Sequence, residues 1–133
     1  MFSFGASHQT PSQNEYAASL FAHVHDAVIL RWAEVEIGEW RPEASDCHAN
    51  VTELCAHDPT YSPVRGWLYF DFGGYLDRVQ FLAHSAVRAP DGTLYDVTPS
   101  RASQQYPFLS ANLPDHEYVA LITSGVTRLW HVK

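Results

Sequence analysis

The stretch HSAVRAPDGTLYDVTP, His84 to Pro99, decides how the β part of this chain is registered. It reads as two strands joined at Ala89-Pro90-Asp91-Gly92-Thr93. A two-residue Asp-Gly loop would pair Pro90 with Thr93 and put His84 and Asp96 on opposite faces, because strand side chains alternate with period two. A three-residue loop, Pro90-Asp91-Gly92, instead pairs Ala89 with Thr93 and Ala86 with Asp96. His84 and Asp96 then share a face as diagonal neighbours. The residues favour the longer loop. Pro90 fixes φ near −65° and suits position i+1 of a type I turn, and Gly92 takes the left-handed bulge position. The expected result is an imidazole beside a carboxylate. A carboxylate so placed orients the ring and stabilises the imidazolium, as the third group of a nucleophile–base–orienter triad does. The alternative is a strand histidine and an Asp96 that caps the turn around DVTP.

The nucleophile such a pair would serve lies upstream. SDCHANVTELCAHDP reads as a short helix capped by Ser45 or Asp46 and stopped before Pro59. Cys47 falls in its first turn, where unpaired N–H groups and the helix dipole favour a thiolate and can stabilise an oxyanion. Cys55, eight residues on, is turned by about 80° and displaced by about 12 Å. That is too far for a disulfide, so two free thiols are expected, which fits a reducing compartment. Cys55 reads as core filler. Asn50, one turn after Cys47, faces either the site or solvent. His48 points about 100° away from Cys47 on a helix and reads as a poor base for it.

The ordered set C-H-A-N-V (47 to 51), G-W (66 to 67), H-S-A-V (84 to 87) and D-G-T-L-Y-D-V-T-P (91 to 99) resembles a group of small bacterial domains. Their pattern is C-x-x-N-V, G-W, H-x-V, D-x-T-P. The order of a cysteine on a helix, a histidine on a strand and an aspartate on the next strand also resembles the papain-like and transglutaminase-like cysteine enzymes. The likeness covers about residues 45 to 99. It implies Cys47 as nucleophile, His84 as base and Asp96 as orienter, with no cofactor and a peptide or small amide or ester as substrate. Asn50, Trp67 and Trp40 are the candidate substrate-binding residues. No glutamine shortly precedes Cys47, where papain-like enzymes often place an oxyanion donor. Either the Trp40 indole fills that place, as a tryptophan does in transglutaminase-like sites, or Trp40 is core.

At 133 residues with 46% hydrophobic and 14% aromatic content, the chain reads as one domain, 1–133, able to bury a core without staples. Residues 1–12 read as an irregular arm. Ala17, Leu20, Phe21, Val24 and Val28 have helical spacing, with Ser12 as N-cap and Glu15 three places on. VILRWAEVEIGEW is either the last turns of that helix or a strand. RGWLYFDFGG, DRVQFLAHSAVRA, GTLYDVT, HEYVALIT and VTRLWHV all read as strands, the last two joined by a tight turn at Ser124-Gly125. Residues 99–115 read as a long loop near the site. The fold class expected is α+β, N-terminal helices packed on an antiparallel sheet.

A net charge of −7 with only 8 Lys+Arg argues against nucleic acid as a partner, since phosphate backbones are bound through clustered Lys and Arg. No apolar run reaches the ~18 residues of a membrane span, and the N-terminus lacks a signal pattern, so no membrane partner and a cytoplasmic location are expected. Two other classes compete with a thiol enzyme. Cys47, His48, Cys55 and His57 are zinc-ligand types, but their spacing on one helix cannot bring all four to one ion. A non-catalytic protein-binding module would use aromatic anchors such as Trp67, Tyr69 or Tyr106.

Overall fold

The computed structural model describes residues 9–72, 77–99 and 105–133. The first four residues of the 1–12 arm and its next four, and residues 100–104 of the 99–115 loop, lie outside them. The fold is α+β, as expected. Among the described residues three α-helices accompany a mixed six-stranded sheet, mostly antiparallel, in the order β1-β4-β3-β2-β5 with β6 also paired to β3. The strands are β1 (Arg31–Trp32), β2 (Ser62–Asp71), β3 (Arg78–Arg88), β4 (Leu94–Asp96), β5 (Phe108–Ser110) and β6 (Arg128–Val132).

The first described helix, α1 (Pro11–Ala22), is capped two residues earlier than expected, at Thr10 in place of Ser12. Thr10 is the N-cap and Gln13 closes a capping box with it, so two otherwise orphaned N–H groups are satisfied reciprocally. Pro11, with no N–H to lose, stands in the first turn. The preceding residue is not a loose arm either. The Gln9 side chain makes a two-way bond with the Trp130 backbone on β6. After α1 a short 3-10 turn, Val24–Asp26, leads to an extended segment. Val28 exchanges both backbone hydrogen bonds with Phe108 of β5. Three residues later β1 runs parallel to β4, with Arg31 opposite Tyr95 and Trp32 opposite Asp96. One segment thus touches both ends of the strand order, and the sheet is not purely antiparallel as expected.

HEYVALIT is not a strand. It forms α3 (Asp115–Thr123). Its β-branched composition misleads, because Tyr118, Leu121 and Ile122 follow the i, i+3, i+4 spacing of a helix face, and all three pack on one core cluster. Asp115 and Glu117 sit in the first turn, favourable to the dipole. Ser124-Gly125 ends the helix rather than joining two strands. Gly125 has φ +103°, its N–H bonds Ile122 and the Val126 N–H bonds Leu121. That Schellman arrangement needs the left-handed conformation glycine allows. The expected loop 99–115 likewise contains β5, antiparallel to β2.

Alternation along β2 divides the core. Trp67 faces a cluster with Ala17 and Leu20 of α1, Tyr118 of α3, Val79, Phe81 and Leu129. Leu68 faces the other way, onto Leu30, Ala86 and Phe108. A third cluster, Val51, Leu54, Val87 and Val97, seats the remaining helix, α2 (Cys47–His57), on β3 and the chain after β4.

Candidate active site

The β3–β4 hairpin has the expected register. Val87 lies opposite Tyr95 and Arg88 opposite Leu94, and the Ala89 N–H donates to the Thr93 carbonyl. Gly92 has φ +88°, the left-handed turn position assigned to it. Carried inward, this register sets Ala86 across from Asp96 and His84 diagonal to it. The two side chains meet: His84 Nε2 is 3.2 Å from Asp96 Oδ1. Both are buried, His84 at 5% and Asp96 at 1% exposure.

Asp96 is held by its neighbours in D-V-T-P. The Thr98 N–H donates to the same Oδ1 at 3.2 Å. Backbone pairing with β1 anchors the main chain, since the Ala33 N–H donates to the Asp96 carbonyl. Thr98 also reaches the helix of the cysteine, because its Oγ1 accepts from Asn50 Nδ2 at 2.9 Å. Asn50 Nδ2 donates in addition to the Glu43 carbonyl, and its Oδ1 accepts from the Glu43 N–H. Asn50 is 4% exposed and its donors are used. The expectation that it binds substrate is therefore corrected. Asn50 clamps the chain entering α2 to the chain leaving β4, which sets the Cys47 end of the helix against Asp96. Immediately before the helix, Ser45 adopts φ +63°, a strained conformation for a residue with a Cβ.

Cys47 is the first residue of α2, with Asp46 at the N-cap making no side-chain cap bond. Burial raises the pKa of its thiol. Interaction with the His48 and His84 rings outweighs burial and brings it down from 9.0 to about 6. His84 moves the opposite way. Burial lowers it, but the bonds to Asp96 and Cys47 and the two negative charges raise it from 6.5 to about 9. With Nε2 on Asp96, Nδ1 is the ring atom left for the sulfur. The two shifts together favour a thiolate beside an imidazolium. Cys55 sits against the third apolar cluster, and burial raises its pKa.

Two residues missed in the sequence complete the surroundings. His48 turns its ring back to the sulfur, contrary to the 100° argument, because Ser85 holds the ring and Arg65 holds its carbonyl. Its Nδ1 is 2.6 Å from Ser85 Oγ. Arg65, 8% exposed, donates to Ser85 Oγ, the His48 carbonyl, Thr52 Oγ1 and Asp115 Oδ1. A lone arginine inside an apolar strand run was the available signal for it. Gly66 also has a function. Directly opposite His84 on β2, it has no Cβ, and one built there would stand 2.6 Å from Phe108 Cζ and collide with the Leu109 carbonyl oxygen. The Phe108 ring therefore closes edge-on to His84, centroids 6.2 Å apart.

Trp67 and Trp40, the two tryptophans expected at the site, pack in apolar clusters instead. Trp67 is 0% exposed and its indole N–H donates to Tyr16 Oη at 2.9 Å, so it cannot touch substrate as expected. Trp40 packs beside His57, rings 5.8 Å apart, at the far end of α2, about 15 Å along the axis from Cys47. It supplies no oxyanion donor. Tyr69 packs tilted against Phe81, and Tyr106 against Phe70. A cavity of about 470 Å³ between α1 and β5, lined by Tyr16, Leu20, Arg88 and Phe108 among others, includes none of Cys47, His84 and Asp96. The chemistry, not this cavity, marks the site. Among the described residues no group of three or more His, Cys, Asp or Glu is arranged to hold a metal. No helix there is long and apolar enough to cross a membrane. No protein-family model, curated protein or solved structure matches the chain.

Proposed function

We propose that this chain is a thiol-dependent acyl-transfer enzyme, with a papain-like or transglutaminase-like arrangement of Cys47, His84 and Asp96, acting on a peptide or a small amide or ester. The observation that carries the reading is the unbroken line from a helix-terminal thiol through a buried imidazole to a buried carboxylate. The Cys47 thiolate attacks the carbonyl carbon, forming a C–S bond and an oxyanion that N–H groups of the first helical turn can stabilise. Collapse breaks the C–N or C–O bond, and the leaving group takes the proton from His84 Nδ1. Water or an amine then attacks the thioester, gives its proton to His84 and releases Cys47 as thiolate. Asp96 holds the ring and its charge throughout and gives up no proton.

The test is the pH dependence of iodoacetamide alkylation, read separately at Cys47 and Cys55 by peptide mass spectrometry. Cys47 should titrate near pH 6 and Cys55 above the ordinary thiol range. His84→Ala should slow Cys47 alkylation at pH 6 by roughly 10- to 100-fold, one to two pKa shifts of a factor of ten each, and leave Cys55 unchanged. A Cys47 that titrates with Cys55 and ignores His84 would sink the enzyme reading in favour of a binding module. Acyl transfer should follow a bell between about 6 and 9.

A further inference from the structure

The sulfur of Cys47 is flanked by two imidazoles, and the triad uses only one. His48 is not an incidental neighbour. Ser85 Oγ holds its Nδ1 at 2.6 Å, and the buried Arg65 holds Ser85 at 2.9 Å and the His48 carbonyl at 3.2 Å. Tyr118, fully buried, meets the ring edge-on at 5.9 Å. Arg65 is itself fixed by Asp115 at the start of α3. Four elements, α2, α3, β2 and β3, thus contribute to seating this one ring.

The groups behind the two rings differ in sign. His84 has a carboxylate behind it, so it is the ring suited to carry the proton that cycles through the reaction. Behind His48 stands a hydroxyl and then a guanidinium. Arg65 donates to Ser85 Oγ, which frees the Ser85 hydrogen to donate to His48 Nδ1. The ring proton then sits on Nε2, the atom left for the sulfur.

We propose that His48 is a second catalytic imidazole, which does not exchange its proton but donates a fixed hydrogen bond from Nε2–H to the Cys47 sulfur. It holds the thiolate in the resting site and receives it again when the thioester breaks. His84 is thereby left to serve the leaving group and the incoming nucleophile. This division of roles rests on the acyl-transfer reading.

The variants His48→Phe, His48→Gln and Ser85→Ala test it through Cys47 alkylation at pH 6, with Cys55 alkylation and near-ultraviolet circular dichroism reporting the fold. His48→Phe should slow Cys47 about tenfold, one pKa unit. His48→Gln, whose amide N–H reaches the Nε2 position, should restore most of the rate. Ser85→Ala should fall between. Nitrogen-15 histidine spectra of the unaltered protein give a measurement that needs no variant: the neutral His48 ring should be the Nε2–H tautomer, beside a charged His84. A His48 protonated on Nδ1, or a folded His48→Phe that alkylates like the unaltered protein, would overturn the proposal. Should the unaltered Cys47 itself titrate like Cys55, it is the acyl-transfer reading that fails, and with it this one.

Discussion

The two ends of α2 carry the same residue to opposite chemistry. Cys47 and Cys55 are both free and both partly buried, on one helix of eleven residues. At the first end the thiol meets two imidazoles backed by Asp96 and Arg65, and its pKa is lowered. At the other the thiol leans on Val51, Leu54 and their neighbours, and burial raises it. Burial acts in the same direction on both. The difference lies in what stands opposite each end: two imidazoles close to the Cys47 thiol, and for Cys55 an apolar cluster with Arg65, Asp115 and Asp58 acting only through their charge. A cysteine's reactivity here belongs to its partners, not to its helix.

Three substitutions test that difference. Gly66→Ala has the largest expected effect. Its Cβ meets a backbone carbonyl that cannot move aside and the Phe108 ring that walls His84, so a loss of about 3 kcal/mol or more in denaturant unfolding is expected. An unchanged unfolding midpoint would mean that the close approach is not what Gly66 provides. Asn50→Ala comes next. It removes the Asn50 bonds to the Glu43 backbone and to Thr98 Oγ1 and should cost about 2 kcal/mol. It should also slow alkylation of Cys47 but not of Cys55. Equal changes at both thiols would show that Asn50 holds the helix as a whole.

Asp96→Asn has the smallest expected effect of the three on free energy. It preserves the Thr98 contact and removes only the charge behind His84. Cys47 alkylation at pH 6 should fall about tenfold, about 1.4 kcal/mol, with little change in unfolding. The sign follows from linkage. His84 is raised to about 9 in part by this carboxylate, so without it the imidazolium is lost at lower pH and the high-pH limb of an acyl-transfer profile should move down. A profile with an unmoved upper limb would separate Asp96 from the reacting pair.

Local signals carried much of the candidate site. Pro90 and Gly92 have backbone preferences that few neighbours can override, and they set a register which, by period-two alternation alone, brings His84 to Asp96. A cysteine after Ser-Asp at a helix start is likewise legible from capping chemistry. The failures came where one local pattern had two physical solutions. The β-branched residues of HEYVALIT suit a strand, yet its apolar positions also suit a helix face, and packing on Trp67 selected the helix. His48 failed for a similar reason: ideal helix geometry turns it away, whereas Ser85 and Arg65, 37 and 17 residues on, turn it back.

By itself the sequence determined the class α+β, the hairpin register and the pairing of imidazole with carboxylate, because each depends on backbone preferences within a few residues. Only the tertiary structure decided that Asn50 is a clamp and not a substrate contact, that Trp67 and Trp40 are core, that Gly66 makes room for Phe108, and that a second histidine faces the thiol. Each of those depends on which distant groups meet across the sheet, and a side chain's role follows from the partners that satisfy it.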